Sequence, residues 1–260
     1  MEFWALAAAG VFGLVVGSFL NVVIYRVPRG ESIVSPGSRC TLCGHELTWY
    51  ENVPVFAWLA LRGRCRVCKS SISVRYPLVE VCTAALFVLA AARTDRWVEL
   101  AAHVVAFGGL LALAAIDIDV KRVPVSVLYP TVGLTAALLT AAAGMDHRWD
   151  DLARAVVGAA IGFVLLRLVH AASPRSMGYG DVRLAGLCGL LLGWHGLTYV
   201  IVGLYGAFVL GAVAGVVLIA IGQGKFGKSI PFAPYLAAGS IYVSLYGEPI
   251  AGGTRKIWGG

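Results

Sequence analysis

The sequence contains little charge. Of its 260 residues only 13% are Asp, Glu, Lys or Arg, whereas 59% are hydrophobic, and the mean hydropathy is +0.81. Because a soluble domain carries about 25% charged residues, this composition excludes an ordinary soluble enzyme or binding module. It indicates a protein that crosses a membrane several times.

Several other features are missing. The sequence has no basic helix and no platform of aromatic residues, so its net charge of +7 does not indicate nucleic-acid binding. Cationic loops that orient a membrane protein and contact anionic lipid headgroups explain this charge. No internal repeat is visible, and no glycine fingerprint lies in the strand–helix setting of a nucleotide-binding fold. A Rossmann methyltransferase is therefore not expected.

The first apolar segment lacks the basic region that precedes the core of a signal peptide. Glu2 stands there instead, and the segment closes on Asn21 and Tyr25 without a small-residue cleavage site. We therefore expect a retained first span rather than a removable signal peptide.

Eight apolar runs approach the roughly 20 residues that a membrane-spanning helix needs, and the sixth of them is the shortest. These runs are Phe3–Val23, Pro77–Ala92, Val98–Ile116, Val123–Ala143, Leu152–Ala172, Val182–Trp194, Tyr199–Ile221 and Ile230–Tyr246. The sequence thus predicts an all-α polytopic membrane protein with about eight transmembrane helices. A polar segment that contains four cysteines separates the first helix from the second.

Lys and Arg predict the orientation, because cytoplasmic loops carry an excess of them. With the cysteine-containing segment in the cytoplasm, 15 basic residues lie inside and 6 outside, and 8 of the 15 lie between Arg26 and Arg75. We expect both termini outside and residues Arg26 to Tyr76 inside.

The four cysteines form two CxxC pairs, Cys40 with Cys43 and Cys65 with Cys68. Each pair can place two thiolates on one metal ion, and two such turns complete a closed tetrahedral site for structural Zn²⁺. Two disulfides or a redox motif are the alternative, but disulfides require an oxidising compartment and this segment is predicted to be cytoplasmic. His45 is expected to stay outside the metal shell.

Three aspartates lie at the ends of apolar runs, where a carboxylate is costly and usually functional or paired. Asp117 and Asp119 end the third span, and Asp181 follows a Gly-Tyr-Gly turn at the same predicted membrane boundary. Two carboxylates from different helices at one depth can share a proton and activate water against a peptide bond. Helical residues two apart point about 200° from each other, so only one of Asp117 and Asp119 can face Asp181, and spacing does not choose between them.

Gly178 and Gly180 flank Tyr179 in this turn. Glycines allow another backbone to approach closely, so these two are candidates for making room for an extended substrate.

The sequence blocks GSFLNVVIYRVPRGES, the two CxxC pairs, IDIDVKRVP, GYGDVRL and IPFAPYLAAG occur in this order along nearly the whole chain. Together they resemble the type IV prepilin peptidases, GxGD-type membrane aspartic proteases with an attached N-methyltransferase. The resemblance implies removal of the leader from prepilin or pseudopilin precursors, which serve type IV pili and type II secretion, at the cytoplasmic face of the bacterial inner membrane. It also implies methylation of the new N-terminal residue from S-adenosylmethionine.

By this resemblance the second catalytic aspartate falls on Asp181. The first lies six residues before the aliphatic residue of an aliphatic-Pro pair, here Val123-Pro124, which gives Asp117, with Asp119 as second choice. Arg183 stands where lysine is usual in that family.

The methyltransferase candidates, chosen from the resemblance and from polarity, are Asn21, Arg26, Arg75 and Glu80. The predicted domains are a first span at 1–25, a zinc-binding module at 26–76 and a transmembrane aspartic peptidase domain at 77–250.

Two other classes of protein use similar features. A proton- or cation-coupled transporter could use the same acids, but such transporters have internal repeats and midplane sites, and these acids lie at span ends. A non-catalytic zinc-bearing platform of a secretion machine would tolerate replacement of Asp117 and Asp181.

Overall fold

The protein is seen here as a computed structural model, which describes residues 3–173, 177–222 and 231–247. The described part contains nine α-helices and no strand longer than an isolated bridge. The helices are α1 (Phe3–Arg26), α2 (Phe56–Ala60), α3 (Arg75–Arg93), α4 (Trp97–Val120), α5 (Val125–Asp146), α6 (Trp149–Ala172), α7 (Tyr179–His195), α8 (Leu197–Ala220) and α9 (Ala233–Tyr246). They form two compact units, one up to Asp95 and one from Arg96 onward.

Each of the eight predicted apolar runs forms a helix, and six of these helices are long and apolar enough to cross a membrane: α1, α3, α4, α5, α6 and α8. The helices α7 and α9 have 17 and 14 residues. At about 1.5 Å per residue neither reaches across a hydrocarbon core of about 30 Å. The described residues thus support an all-helical membrane protein with six candidate spans, and the predicted count of eight is not confirmed. Residue 230, where the last run begins, and residue 250, where the predicted domain ends, lie outside the described residues.

The end of α4 is determined by the residues that follow it. Lys121 takes a left-handed backbone conformation (φ 53°) and its N–H bonds the carbonyl of Asp117. Pro124 then lacks an N–H and disfavours a helical conformation at Val123, so α5 starts afresh at Val125. Asp117 and Asp119 are therefore held in the last turn of a helix that stops immediately after them.

In the second unit, α6 and α7 lie with their backbones almost in contact. A Cβ atom added to Gly158 would lie 2.4 Å from the carbonyl oxygen of Gly189, and one added to Gly162 would lie 2.3 Å from that of Ala185. Only glycine permits this spacing, which is how helices pack tightly in lipid. The two helices therefore act as one rigid pair.

A buried polar network lies at the end of this unit away from Asp117. Glu99 accepts a hydrogen bond from the indole N–H of Trp194 at 2.9 Å and pairs with Arg148 at 2.5 Å, and Arg148 also pairs with Asp151. Glu99 is only 7% exposed. The carboxylate thus ties α4 to α7 and to the start of α6.

Glu99→Gln is expected to lower the free energy of unfolding by about 1.5–3 kcal/mol, because a hydrogen bond to a charged group contributes about that much and the guanidinium of Arg148 loses one of its two carboxylates. Asp146→Asn is the matched control, since Asp146 pairs with the half-exposed Arg96 and such surface pairs contribute about 0–1 kcal/mol. Thermal unfolding in detergent measures both variants. Equal effects would contradict a special role for the buried carboxylate.

Candidate active site and metal centre

The structure separates the two neighbouring aspartates at the end of α4. Asp117 is buried, with 4% of its surface exposed, whereas Asp119 is exposed. They point to different sides because residues two apart in a helix are rotated by about 200°. Only Asp117 faces the interior of the second unit.

The carboxylate of Asp117 meets the N-terminus of α9. Its Oδ2 accepts a hydrogen bond from the backbone N–H of Ala233 at 3.1 Å, and Ala233 is the first residue of that helix. Helix N-termini carry partial positive charge and unpaired N–H groups. This contact favours the ionised form of Asp117.

Asp181 lies in the first turn of α7 and is 8% exposed. Its carboxylate interacts electrostatically with that of Asp117. Its Oδ1 atom is buried and has no hydrogen-bond partner among the residues that the structure describes. The structure therefore brings Asp117 and Asp181 near each other from separate helices.

The two glycines before Asp181 have different surroundings. A Cβ atom on Gly180 would lie 2.8 Å from the Cβ of Val123, so the missing side chain lets α7 approach the segment between α4 and α5. Among the described residues, a Cβ atom on Gly178 would meet only Asp181 Oδ2, at 3.5 Å, and the N of Gly180. The space at Gly180 is thus filled by the chain itself, whereas Gly178 borders the carboxylate.

The four cysteines of the first unit converge. Their Sγ atoms all lie within 4.8 Å of one another, with 3.8 Å between Cys40 and Cys68 and 3.9 Å between Cys43 and Cys65. A tetrahedral zinc site with Zn–S bonds of about 2.3 Å needs sulfur–sulfur distances of about 3.8 Å. The cluster fits Zn²⁺ and is too open for disulfides.

Two similar turns build this cluster. In one the N–H of Gly44 bonds the carbonyl of Cys40, and in the other the N–H of Lys69 bonds the carbonyl of Cys65, both at 3.0 Å. Gly44 and Lys69 both take positive φ, 72° and 58°. Each CxxC pair therefore sits in a tight turn that directs both sulfurs to one point.

Backbone N–H groups favour thiolates in this cluster. The amides of Cys43 and then Leu42 lower the pKa of the Cys40 thiol to about 6, and Ser70 lowers the pKa of Cys68 through its hydroxyl and its amide. At Cys43 the amide of His45 acts in the same direction, but burial and the neighbouring thiols raise the pKa to about 11. Holding all four thiolates together therefore requires a cation, which a metal ion supplies.

His45 lies beside the cluster, and its Nε2 is 3.2 Å from Glu51 Oε2. Glu51 is buried and also accepts bonds from the N–H of Thr48 at 2.9 Å and from its hydroxyl at 2.7 Å. The amide of Thr48, its hydroxyl and the neighbouring His45 lower the pKa of Glu51. This carboxylate thus links the first CxxC turn to the 3₁₀ helix at residues 49–52.

A cavity of about 600 Å³ lies next to the cluster in the first unit. Three of the four methyltransferase candidates line it, namely Asn21, Arg26 and Glu80, while Arg75 is not among the lining residues. Asn21 donates to the carbonyl of Tyr76 at 3.0 Å, and Glu80 accepts from the N–H of Val55 at 2.7 Å.

Arg26 has a different environment from the other candidates. Its guanidinium donates to the carbonyls of Ser32, Pro36 and Gly37 at 2.9, 2.8 and 2.9 Å. Arg26 therefore holds the segment between Glu31 and Ser38, two residues that line the cavity.

Comparisons with known proteins give the family of the chain. Residues 11–94 match the model of the bacterial peptidase A24 N-terminal domain, and residues 104–227 match that of the type IV leader peptidase family. A prepilin leader peptidase/N-methyltransferase of Pseudomonas putida is 37% identical over 98% of this chain and 95% of its own length.

The chain belongs to the type IV leader peptidase family.

Two further relatives carry the same name. The protein of Myxococcus xanthus is 44% identical over 80% of this chain and 62% of its own length. That of Stutzerimonas stutzeri is 34% identical over 92% of this chain and 90% of its own length. No solved structure matches the chain.

Some residues of this leader peptidase family member were not found by sequence reasoning. Glu51 lies in a polar loop that looks like many others in sequence, and only its buried position in the structure indicates that it has a role. The role of Ala233 is carried by a backbone N–H, which leaves no pattern in side-chain identities.

Arg183, which stands where lysine is usual in the family, places its guanidinium 4.7 Å from the ring centroid of Tyr179 and 5.8 Å from that of Tyr129.

Proposed function

We propose that the protein is a membrane aspartic endopeptidase that removes the leader from prepilin-like precursors and then methylates the new N-terminal residue. The observation that carries the peptidase half is the pairing of the buried Asp117 with Asp181 at the end of α4 and the start of α7. The relatives' shared name supports both halves. The direct test is leader removal from a prepilin-like substrate by Asp117→Asn and Asp181→Asn in membranes.

Each carboxylate has a distinct task in this mechanism. Two carboxylates in a low-dielectric site share one proton. Asp117 is stabilised as an anion by the N–H of Ala233, so the proton resides on Asp181. Asp117 takes a proton from water as the water oxygen attacks the scissile carbonyl carbon, and Asp181 gives its proton to the carbonyl oxygen. In the resulting gem-diol, Asp117 gives the proton that it took from water to the amide nitrogen, and Asp181 takes a proton back from one of the two hydroxyl groups. The C–N bond then breaks, the leader leaves as a carboxylic acid, and the mature protein has a free amine at its new N-terminus.

The catalytic end faces the cytoplasm in this proposal. Residues Arg26 to Arg75 carry 8 basic residues, which favours the cytoplasm for the cysteine module. Both α3 and α4 are long enough to cross the membrane, and only residues 94–96 join them. With both helices crossing the membrane, the chain passes through it once in each direction. Asp117, at the end of α4, is then on the same side of the membrane as the cysteine module. In a bacterium this membrane is the cytoplasmic one.

Zn²⁺ bound by Cys40, Cys43, Cys65 and Cys68 has a structural role. The four thiolates fill a tetrahedral shell and leave no position open for water. The regular structure between α1 and α3 is limited to the short helix α2, two 3₁₀ helices at 27–29 and 49–52, and isolated bridges. A metal ion supplies the stability that so small a core lacks.

The cavity of the first unit is the proposed methyl-transfer site. S-adenosylmethionine supplies a methyl group from a sulfonium cation. The lining of the cavity contains aromatic and acidic residues that suit the sulfonium cation, and arginines that suit the carboxylate of the same molecule: Tyr25, Trp58, Tyr76, Glu51 and Glu80, with Arg26, Arg39 and Arg66. Asn21 and Arg26 support the walls.

A backbone hydrogen bond fixes the position of Glu80 in this cavity. It is 7% exposed and holds the N–H of Val55, a β-branched residue with φ 63°. Such a conformation costs about 1–3 kcal/mol and persists where surrounding contacts enforce it. Glu80 thus helps to fix the wall and also presents negative charge to the cavity.

Glu80→Gln is expected to leave leader removal intact and to slow methylation by roughly 10- to 100-fold, since an interaction with a charged group contributes about 1.5–3 kcal/mol. The amide keeps an acceptor for Val55 but removes the charge. Mass spectrometry of the cleaved product measures the methylated fraction. Glu46→Gln, at an exposed position outside the cavity lining, serves as control, and methylation of the Glu80→Gln product at the unmodified rate would argue against this site.

A further inference from the structure

The turn that carries Asp181 is held by few hydrogen bonds within itself. Gly178 precedes α7 with an extended backbone and no side chain caps that helix. Within the turn the N–H of Asp181 bonds the carbonyl of Gly178 at 3.1 Å. Because glycines are conformationally permissive, the direction of the Asp181 side chain needs a contact from outside the turn.

His170, in the last turn of α6, makes that contact. Its Nδ1 lies 2.9 Å from the carbonyl oxygen of Met177, and its ring packs edge-on against that of Tyr179, with centroids 5.7 Å apart and planes at 61°. A carbonyl oxygen only accepts, so the hydrogen is on Nδ1. His170 therefore holds the residues on both sides of Gly178.

His170 is itself fixed relative to α7. The glycine contacts between α6 and α7 place residues 154–162 of one backbone against residues 185–193 of the other: besides Gly158 and Gly162, a Cβ atom on Gly193 would lie 2.5 Å from the carbonyl of Arg154. A side chain at the end of α6 is thus a rigid reference point for the start of α7.

We propose that His170 is a positioning residue for Asp181: it donates to Met177 and packs against Tyr179, and so fixes the orientation of the carboxylate during peptide hydrolysis. The inference rests on the proposed peptidase function of Asp181. His170 transfers no proton in the reaction. Its contribution belongs to the arrangement of the reacting groups, where a misplacement of about 1 Å can cost about 100-fold in rate.

Two variants separate the hydrogen bond from the ring. His170→Phe keeps a ring against Tyr179 and removes the donor, so kcat for leader removal is expected to fall about 10- to 100-fold, with KM changed less than about twofold. His170→Asn keeps an N–H donor near the position of Nδ1 and is expected to retain kcat within about threefold. Initial rates over a range of prepilin-like substrate concentrations give both constants.

Leu168→Ala, on the same helix but 62% exposed, is the matched control and is expected to behave as the unmodified protein. A full kcat in His170→Phe would overturn the proposal, as would a loss in His170→Asn equal to that in His170→Phe. A rise in KM at constant kcat would assign His170 to substrate binding instead and would also overturn it. Activity in Asp181→Asn would refute the aspartic mechanism itself, whereas an inactive Asp181→Asn with a fully active His170→Phe removes only the role of His170.

Discussion

Asp181→Asn is expected to lose leader removal by on the order of 10³-fold or more, because the reaction needs one carboxylate to accept a proton and the other to donate one. An amide at position 181 can still form hydrogen bonds but has no proton to give. Asp117→Asn is expected to fail equally, since it cannot accept the proton of the attacking water. The measurement is the rate at which precursor converts to mature product in membranes.

Because the two carboxylates act as a unit, the losses of activity caused by Asp117→Asn and Asp181→Asn should not be additive in free energy. The double variant is expected to be about as inactive as either single variant, as found generally for groups that share one catalytic step. If the losses multiplied instead, the two residues would be acting independently, contrary to the pairing in the structure.

Asp119→Asn is the matched control for both variants. It changes the same functional group two residues away in the same helix turn, but Asp119 is exposed whereas Asp117 is buried. We expect cleavage close to that of the unmodified protein. A larger loss in Asp119→Asn than in Asp117→Asn would mean that Asp119 is the partner of Asp181.

Cys40→Ser is expected to reduce bound zinc from about one ion per chain to about none and to unfold the module between α1 and α3. One thiolate in four is lost, and for a site of this kind the binding free energy is largely the folding free energy. Metal analysis of the purified protein and limited proteolysis measure the two effects. Methylation should be lost with them, because Cys40 and Cys65 also line the proposed methyl-transfer cavity.

A strong chelator should reproduce this effect on the unmodified protein, and added Zn²⁺ should reverse it. Cys82→Ser is the control, because Cys82 is exposed on α3 and is not one of the four clustered cysteines. Unchanged zinc content in Cys40→Ser, or equal zinc loss in Cys82→Ser, would show that the four cysteines are not the ligands.

The sequence determined the parts of this protein that depend on local composition and spacing. Apolar runs become helices because a backbone in lipid must satisfy its own hydrogen bonds, and each of the eight runs is indeed helical. Cys40, Cys43, Cys65 and Cys68 were found from the CxxC spacing alone, since two residues between cysteines suffice to form the turn. The order of sequence blocks was enough to indicate the family.

The tertiary structure decided what depends on the direction and surroundings of a side chain. Helical spacing left Asp117 and Asp119 equivalent and the family resemblance favoured Asp117, but only the structure shows that Asp117 is buried against the N-terminus of α9 while Asp119 is exposed. The sequence indicated a short sixth run, but only the structure gives α7 and α9 lengths of 17 and 14 residues, which are too short to cross a hydrocarbon core of about 30 Å. The cavity proposed for methyl transfer is lined by residues from 18 to 80, and the contacts of His170 with Met177 and Tyr179 join the end of α6 to the start of α7. Such arrangements arise only when distant segments pack together, because the free energy of a buried carboxylate is set by the neighbours that folding brings to it.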